Sequence, residues 1–180
     1  MIDVLWVGLS AKFSKNGDIL SPLDRSTSSG KLLSEVENLL PNFVFSRTNL
    51  VYFPLLDQDN RLRYPTLTEC KQCLLRLIEE IDLCQPKIVF LLGKQVSNFF
   101  LKNEGISAQK GYLNDFSVVG KKIKYVLVPH PSYILIYKRK EKELYIRRLV
   151  LTAKTVIKIE KNVHPFCLSI LDSSKQVLAL

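Results

Sequence analysis

Two histidines occur in the 180 residues, and one of them, His130, stands between prolines in Pro129-His130-Pro131-Ser132-Tyr133. A proline on each side restricts the backbone and would present the imidazole rigidly, where it can donate a hydrogen bond to a developing anion. The other reading is a structural histidine in a turn. Its place directly after an apolar run, with a hydroxyl and an aromatic following, favours chemistry. Asn49, in Thr48-Asn49-Leu50-Val51, offers amide donors and a carbonyl acceptor, the combination that reads the polar edge of a nucleobase in a dry pocket. An Asx turn closing a strand accounts for it equally well. Cys70-Lys71-Gln72-Cys73 is half of a zinc-type spacing, but Cys84 and the distant His164 and Cys167 do not supply the other half. Both cysteines of the pair fall inside one helical pattern, so buried core cysteines are expected and no metal. Neither a Gly-x-x-x-x-Gly-Lys loop nor a Gly-x-Gly-x-x-Gly fingerprint occurs, which removes the main support for nucleotide-dependent enzymes.

The elements that must position these groups are short and alternate. Residues 4–8 and 87–92 are apolar runs closed by Gly8 and Gly93 and read as buried strands. A further strand over 43–51 is interrupted by Thr48-Asn49 and is expected to end near that pair, and a last one covers 125–128. Between them, Ser28 or Ser29 caps a helix running to Leu40 before Pro41. Thr66-Leu67-Thr68-Glu69 forms a capping box for a helix reaching Cys84 before Pro86, with Leu74, Leu77, Ile78 and Ile81 on one face. A short helix passes through Phe99-Phe100. Val118-Val119-Gly120-Lys121-Lys122 resembles a hairpin turn, and residues 140–159 read as a long basic helix.

Strands alternating with helices at this spacing predict an α/β fold: a three-layer sandwich with a central, mainly parallel four-stranded sheet and helices on both faces. In such sheets the ligand crevice lies outside the carboxyl ends of the strands. The groups leaving those ends, Gly8-Leu9-Ser10, Thr48-Asn49, Gly93-Lys94-Gln95 and His130-Pro131-Ser132, are therefore expected to converge. The length suits one domain, taken as residues 1–160 with a C-terminal tail over 161–180.

Hydrophobic residues make up 47% and charged residues 24%, which excludes a disordered or fibrous chain. The longest apolar runs fall far short of the roughly 20 residues of a membrane span, so no membrane partner is expected. The start, Met1-Ile2-Asp3-Val4-Leu5-Trp6, lacks the basic opening and cleavage site of a signal peptide, and a cytoplasmic protein with reduced thiols is expected. Of 26 basic and 17 acidic residues, twelve basic and three acidic ones lie between Lys121 and Lys161; that segment carries the entire net charge of +9. A one-sided basic footprint suits a polyanion, since each neutralised phosphate releases counterions, and nucleic acid is the first partner to consider. A solvated helix face or an acidic protein partner are the alternatives.

The order of these features resembles the uracil-DNA glycosylase superfamily over roughly residues 4–150, most of all its bacterial thermophile-type branch. Val7-Gly8-Leu9-Ser10-Ala11 stands where that family's first motif leaves its first strand. Ser21-Pro22-Leu23-Asp24 followed by Ser28-Ser29-Gly30-Lys31-Leu32-Leu33 resembles the branch's loop and helix start. Thr48-Asn49-Leu50-Val51 is similar to the strand end whose asparagine reads the base, and His130-Pro131-Ser132 to the second motif.

The resemblance implies a cofactor-free, monomeric DNA glycosylase acting on a flipped base. His130 would stabilise the departing base, Asn49 would select it, and Gly8, Leu9 and Leu23 would line its pocket. Ser132 and Tyr133 would enter the DNA, Tyr133 or Ile134 as a wedge, while Lys138, Arg139, Lys140, Arg147 and Arg148 would hold phosphates. Family first motifs commonly carry a carboxylate or asparagine followed by proline where this chain has Leu9, Ser10 and Ala11. Ser10 can hold a water and Asp24 is expected to supply the missing charge. Leu23 replaces a phenylalanine that stacks on the base in the resembling branch, which points to uracil or a bulkier modified pyrimidine, such as a phage-type modified cytosine. A noncatalytic binder of DNA or modified bases is the alternative. The branch's iron-sulfur cysteines precede its first strand; this chain begins in that strand, so no cluster is expected.

Overall fold

The computed structural model describes residues 2–103, 117–119 and 123–162. Its elements follow in the order β1 (Val4–Ser10), α1 (Ser28–Asn38), β2 (Phe45–Val51), α2 (Leu67–Cys84), β3 (Ile88–Leu92), α3 (Lys94–Asn103), β4 (Ser117–Val119), β5 (Lys124–Val128), α4 (Pro131–Tyr137) and α5 (Lys142–Asn162). One sheet in the order β2-β1-β3-β5-β4 forms the middle layer. Its first four strands are parallel, as the alternating pattern requires, and the three-residue β4 extends it by running antiparallel to β5. The turn expected at Gly120-Lys121-Lys122 lies outside the described residues, as do residues 163–180 of the expected tail.

The strands are apolar on both faces because helices cover both. Val4 and Trp6 point with Ile88, Phe90, Val126 and Val128 into a core closed by α1, α4 and α5. Leu5 and Val7 point the other way with Val89, Leu91 and Leu127, against α2 and α3. This two-sided burial is what turns a parallel strand into a continuous apolar run. The capping box of α2 is present in full, and Leu74, Leu77 and Ile81 are buried on its inner face. Cys70 and Cys73 are buried in the same cluster, as expected of core cysteines.

Two local expectations change. The cap of α1 is Thr27 rather than Ser28 or Ser29: its hydroxyl oxygen accepts from the Gly30 amide at 3.0 Å. Gly30 is buried where the loop crosses the helix, and a Cβ there would overlap the carbonyl of Asp24, which fixes where the helix can begin. Second, β2 does not end at Thr48-Asn49 but runs through to Val51, so Asn49 is a strand residue paired with Gly8 of β1. Among the described residues no helix is long and apolar enough to cross a membrane.

Candidate active site

The chain leaves β1 for β2 on one side and returns through α2 to β3 on the other. The strand order therefore reverses between β1 and β3, and a crevice opens beyond their carboxyl ends, as in other open α/β sheets. A cleft of about 580 Å³ occupies that position. Ser10 from β1, Asn49 from β2, Gly93 after β3 and His130 after β5 all line it, so the convergence expected of the four strand ends is observed.

His130 caps α4, with Pro131 as the first residue of the helix. Its Nδ1 accepts from the Ser132 backbone amide at 3.1 Å and lies 2.7 Å from the Ser132 hydroxyl. An amide N–H can only donate, so Nδ1 is the unprotonated nitrogen and Nε2 carries the proton. Burial pushes the imidazole pKa down to about 4, and the charge of Lys12 acts in the same direction. The ring is thus a neutral hydrogen-bond donor at Nε2, rigid at both flanks. The Tyr145 hydroxyl of α5 donates to the Pro129 carbonyl at 2.6 Å and ties the segment down. Gly93 adopts φ +98°, and a Cβ there would come within 3.2 Å of the His130 Cβ; the glycine gives the histidine its place.

Asn49 is 2% exposed, and its Oδ1 has no hydrogen-bond partner among the described residues. A buried acceptor left unpaired costs about 1–3 kcal/mol, and an Asx turn would have used that oxygen, so the Asx-turn reading fails. Its backbone is fixed instead. Arg76 of α2 donates to the Asn49 carbonyl at 2.6 Å and to Glu80 at 2.7 Å, while the Thr48 hydroxyl donates to Glu80 at 2.8 Å. Gly8 lies directly beneath: a Cβ there would overlap Asn49 Oδ1 and approach Leu23 to 3.1 Å. Leu9 and Leu23 add apolar surface to the cleft.

Leu23 holds φ +50°, a left-handed conformation unusual for a leucine. Asp24 follows, half-buried, and its carboxylate accepts from the Ser26 amide at 2.8 Å. Hydrogen bonds from the Ser26 side chain and backbone, with a smaller contribution from Arg47, lower its pKa, so it is an anion at the cleft. Ser10 and Asp24 are among the polar groups that line the cleft.

The helix α4 supplies the remaining lining. Ser132 and Tyr133 border the cleft, and Tyr133, 44% exposed, packs against Tyr137 with ring centres 5.5 Å apart. Ile134 cannot be a wedge, since it is 3% exposed and belongs to the core. Ile136 and Tyr137 are exposed and border the cleft instead; their offsets of three and four from Tyr133 put them on its face, a helical signal present in the sequence. Lys12 also lines the cleft.

A family model of the Uracil DNA glycosylase superfamily matches residues 13–153. The chain belongs to that superfamily. Uracil-DNA glycosylase superfamily members are DNA glycosylases and act on DNA. Among solved structures, the fold is similar to "The crystal structure of WT Pedobacter heparinus SMUG2", with a TM-score of 0.60, 17% identity, and coverage of 87% of this chain and 76% of that one. No curated protein matches the chain. The matched span begins after β1, so Gly8, Leu9 and Ser10 lie outside it.

Lys138, Arg139, Lys140, Arg147 and Arg148 are not among the residues that line this cleft. Arg139 and Lys140 are exposed in a 3-10 turn (Arg139–Glu141) between α4 and α5, and Arg147 and Arg148 are exposed on α5. Lys138 is paired with Glu141 at 3.1 Å, and Lys142 with Glu35 at 2.8 Å, so part of the charge is neutralised locally. The residues described do not fit the iron-sulfur cluster of the thermophile-type branch. Cys70 and Cys73 are sealed in the core, burial raises the Cys70 pKa away from the thiolate, and no cluster of metal-ligating side chains occurs among the described residues.

Proposed function

We propose that this chain is a DNA glycosylase that flips a noncanonical base, uracil or a bulkier modified pyrimidine, into the cleft and hydrolyses its N-glycosidic bond. One observation carries the reading: a neutral imidazole donor on His130 and a buried carboxamide on Asn49, whose Oδ1 has no partner among the described residues, line the same cleft. Asn49 pairs with the polar edge of the base, where a donor on that edge supplies its Oδ1 with the missing hydrogen bond. As the C1′–N bond breaks, its electron pair passes to the base. His130 Nε2–H donates a hydrogen bond to the oxygen where that charge accumulates and keeps its proton. Water adds to C1′ of the oxocarbenium-like sugar, with Ser10 as hydrogen-bond partner and the Asp24 carboxylate as the compensating negative charge; the proton the water sheds as its oxygen bonds C1′ neutralises the departing base anion. Leu23, in place of an aromatic shelf, leaves width for a substituent on the base. Ser132 and Tyr133 at the cleft, with Lys138, Arg139, Lys140, Arg147 and Arg148 beyond it, take the DNA.

Leu9, Ser10 and Ala11 bring no carboxylate to the first strand's end, and this favours a second reading, a noncatalytic binder of modified bases. Duplex and single-stranded oligonucleotides carrying uracil, hypoxanthine or modified cytosines, incubated with the protein and then treated with alkali, separate the two. Strand breaks at the modified position support the glycosylase; retention on the oligonucleotides without breaks supports the binder. Asp24→Asn keeps the acceptor for Ser26 and removes only the charge, so the glycosylase reading expects it to slow excision with little change in melting temperature.

A further inference from the structure

Arg47 stands two residues before Asn49 on β2, so the two side chains leave the same face of the strand. Its side chain is 11% exposed and its donors are spent on α1 and on the loop before it. Nε donates to Glu37 Oε1 at 2.9 Å and Nη2 lies 2.9 Å from Glu37 Oε2, a forked pair with a carboxylate that is itself 8% exposed on α1. Nη2 also reaches the Ser34 hydroxyl at 3.0 Å, and Nη1 donates to the Leu23 carbonyl at 2.6 Å. That last bond grips the residue whose backbone is left-handed. Arg25, two residues beyond Leu23, closes the loop onto the same Glu37 at 3.1 Å.

We infer that Arg47, locked by Glu37, is a positioning residue that sets the gap between the Leu23-Asp24 wall and the Asn49 carboxamide, and thereby the size of base the cleft accepts. This rests on the reading that the cleft takes a base. Leucine at positive φ is unfavourable and persists only where its surroundings hold it. Here a buried guanidinium holds the carbonyl, while Gly8 and Gly30 leave the room. The strand that carries the base reader thus also carries the clamp for the opposing wall.

Arg47→Lys tests this, because an ammonium keeps the charge but lacks the planar fork needed to hold Glu37 and the Leu23 carbonyl together. Lys87→Met is the matched control. It removes an ion pair to Asp3 of 2.6 Å, next to the amino end of β3 and away from the cleft. Two readouts are taken on both: amide exchange over residues 23–27, and the ratio of kcat/KM for a uracil and a bulky 5-substituted pyrimidine oligonucleotide. The expected result for Arg47→Lys is exchange in that loop faster by at least about tenfold, a raised KM, and a size discrimination altered by about threefold or more. Lys87→Met should lower the melting temperature and leave both readouts as in the wild type. Unchanged loop exchange in Arg47→Lys, or altered exchange with an unaltered ratio, overturns the inference. If the wild-type protein excises no base at all, the glycosylase reading falls by itself. Loop exchange, together with the affinities for the two oligonucleotides, then decides the role of Arg47.

Discussion

Gly8 and Asn49 are partners across the β1/β2 ladder, and the absent side chain of the glycine is the space in which the asparagine carboxamide sits. Gly8→Ala would drive a methyl into Oδ1 and crowd Leu23. Overpacking of this kind costs about 1–3 kcal/mol. The expected outcome is a folded protein with a lowered melting temperature and excision reduced by at least about tenfold, because the reader is displaced. Paired melting and single-turnover measurements check it.

Asn49 keeps a buried acceptor unpaired among the described residues, which is a stability cost. Asn49→Leu replaces it with an apolar group of comparable size. The melting temperature is expected to hold or rise, by up to about 1–3 kcal/mol of stability, while excision is lost. A large fall in melting temperature would mean that the carboxamide has a structural partner.

The pKa of His130 lies near 4 in the folded protein, against about 6.5 when unfolded. Because the folded value is depressed, the unfolded state takes up the proton first, and stability is full above pH 6.5 and falls as pH drops towards 4. For this group the loss amounts to about 3 kcal/mol at its limit and is absent in His130→Gln. The pH profile of kcat/KM should accordingly stay level from pH 8 to about 5 and fall only towards 4, since the neutral ring is the donor. An activity midpoint near 6.5 would show that His130 titrates as an ordinary surface histidine.

Salt dependence locates the DNA. Each phosphate contact adds about 0.9 to the slope of log K against log salt. Arg139→Ala with Lys140→Ala is expected to lower that slope by up to about 2, and Arg147→Ala with Arg148→Ala likewise, with excision from saturated complexes retained. Lys138→Ala should matter less, because Lys138 already pairs with Glu141.

The sequence made legible what depends on local pattern. β3 is an apolar run ended by Gly93, whereas β1 runs two residues past Gly8 to Ser10; the α2 cap is a Thr66–Glu69 box, and Pro129-His130-Pro131 marks a strand-to-helix junction. What depended on distant partners was hidden. Whether Asn49 closed a turn depended on its hydrogen bonds in three dimensions, and its Oδ1 accepts none among the described residues. Glu37 and Arg47 look like ordinary polar positions of an amphipathic helix and a strand, yet they are buried together because the loop over 22–27 covers them. Three neighbouring hydroxyls, Thr27, Ser28 and Ser29, compete for one cap, and the contact of Gly30 with Asp24 selects the first. Ile134 and Ile136 look alike in sequence, but one faces the sheet and the other the cleft.

The central claim is that His130 and Asn49 act together on one extruded base, and a double-mutant cycle on single-turnover excision tests it most directly. His130→Ala and Asn49→Ala should each slow excision by about 10²–10³, with the double variant scarcely slower than the worse single one, as for groups that work as a unit. Independent, multiplicative losses, or single variants that excise at the wild-type rate, would contradict the account.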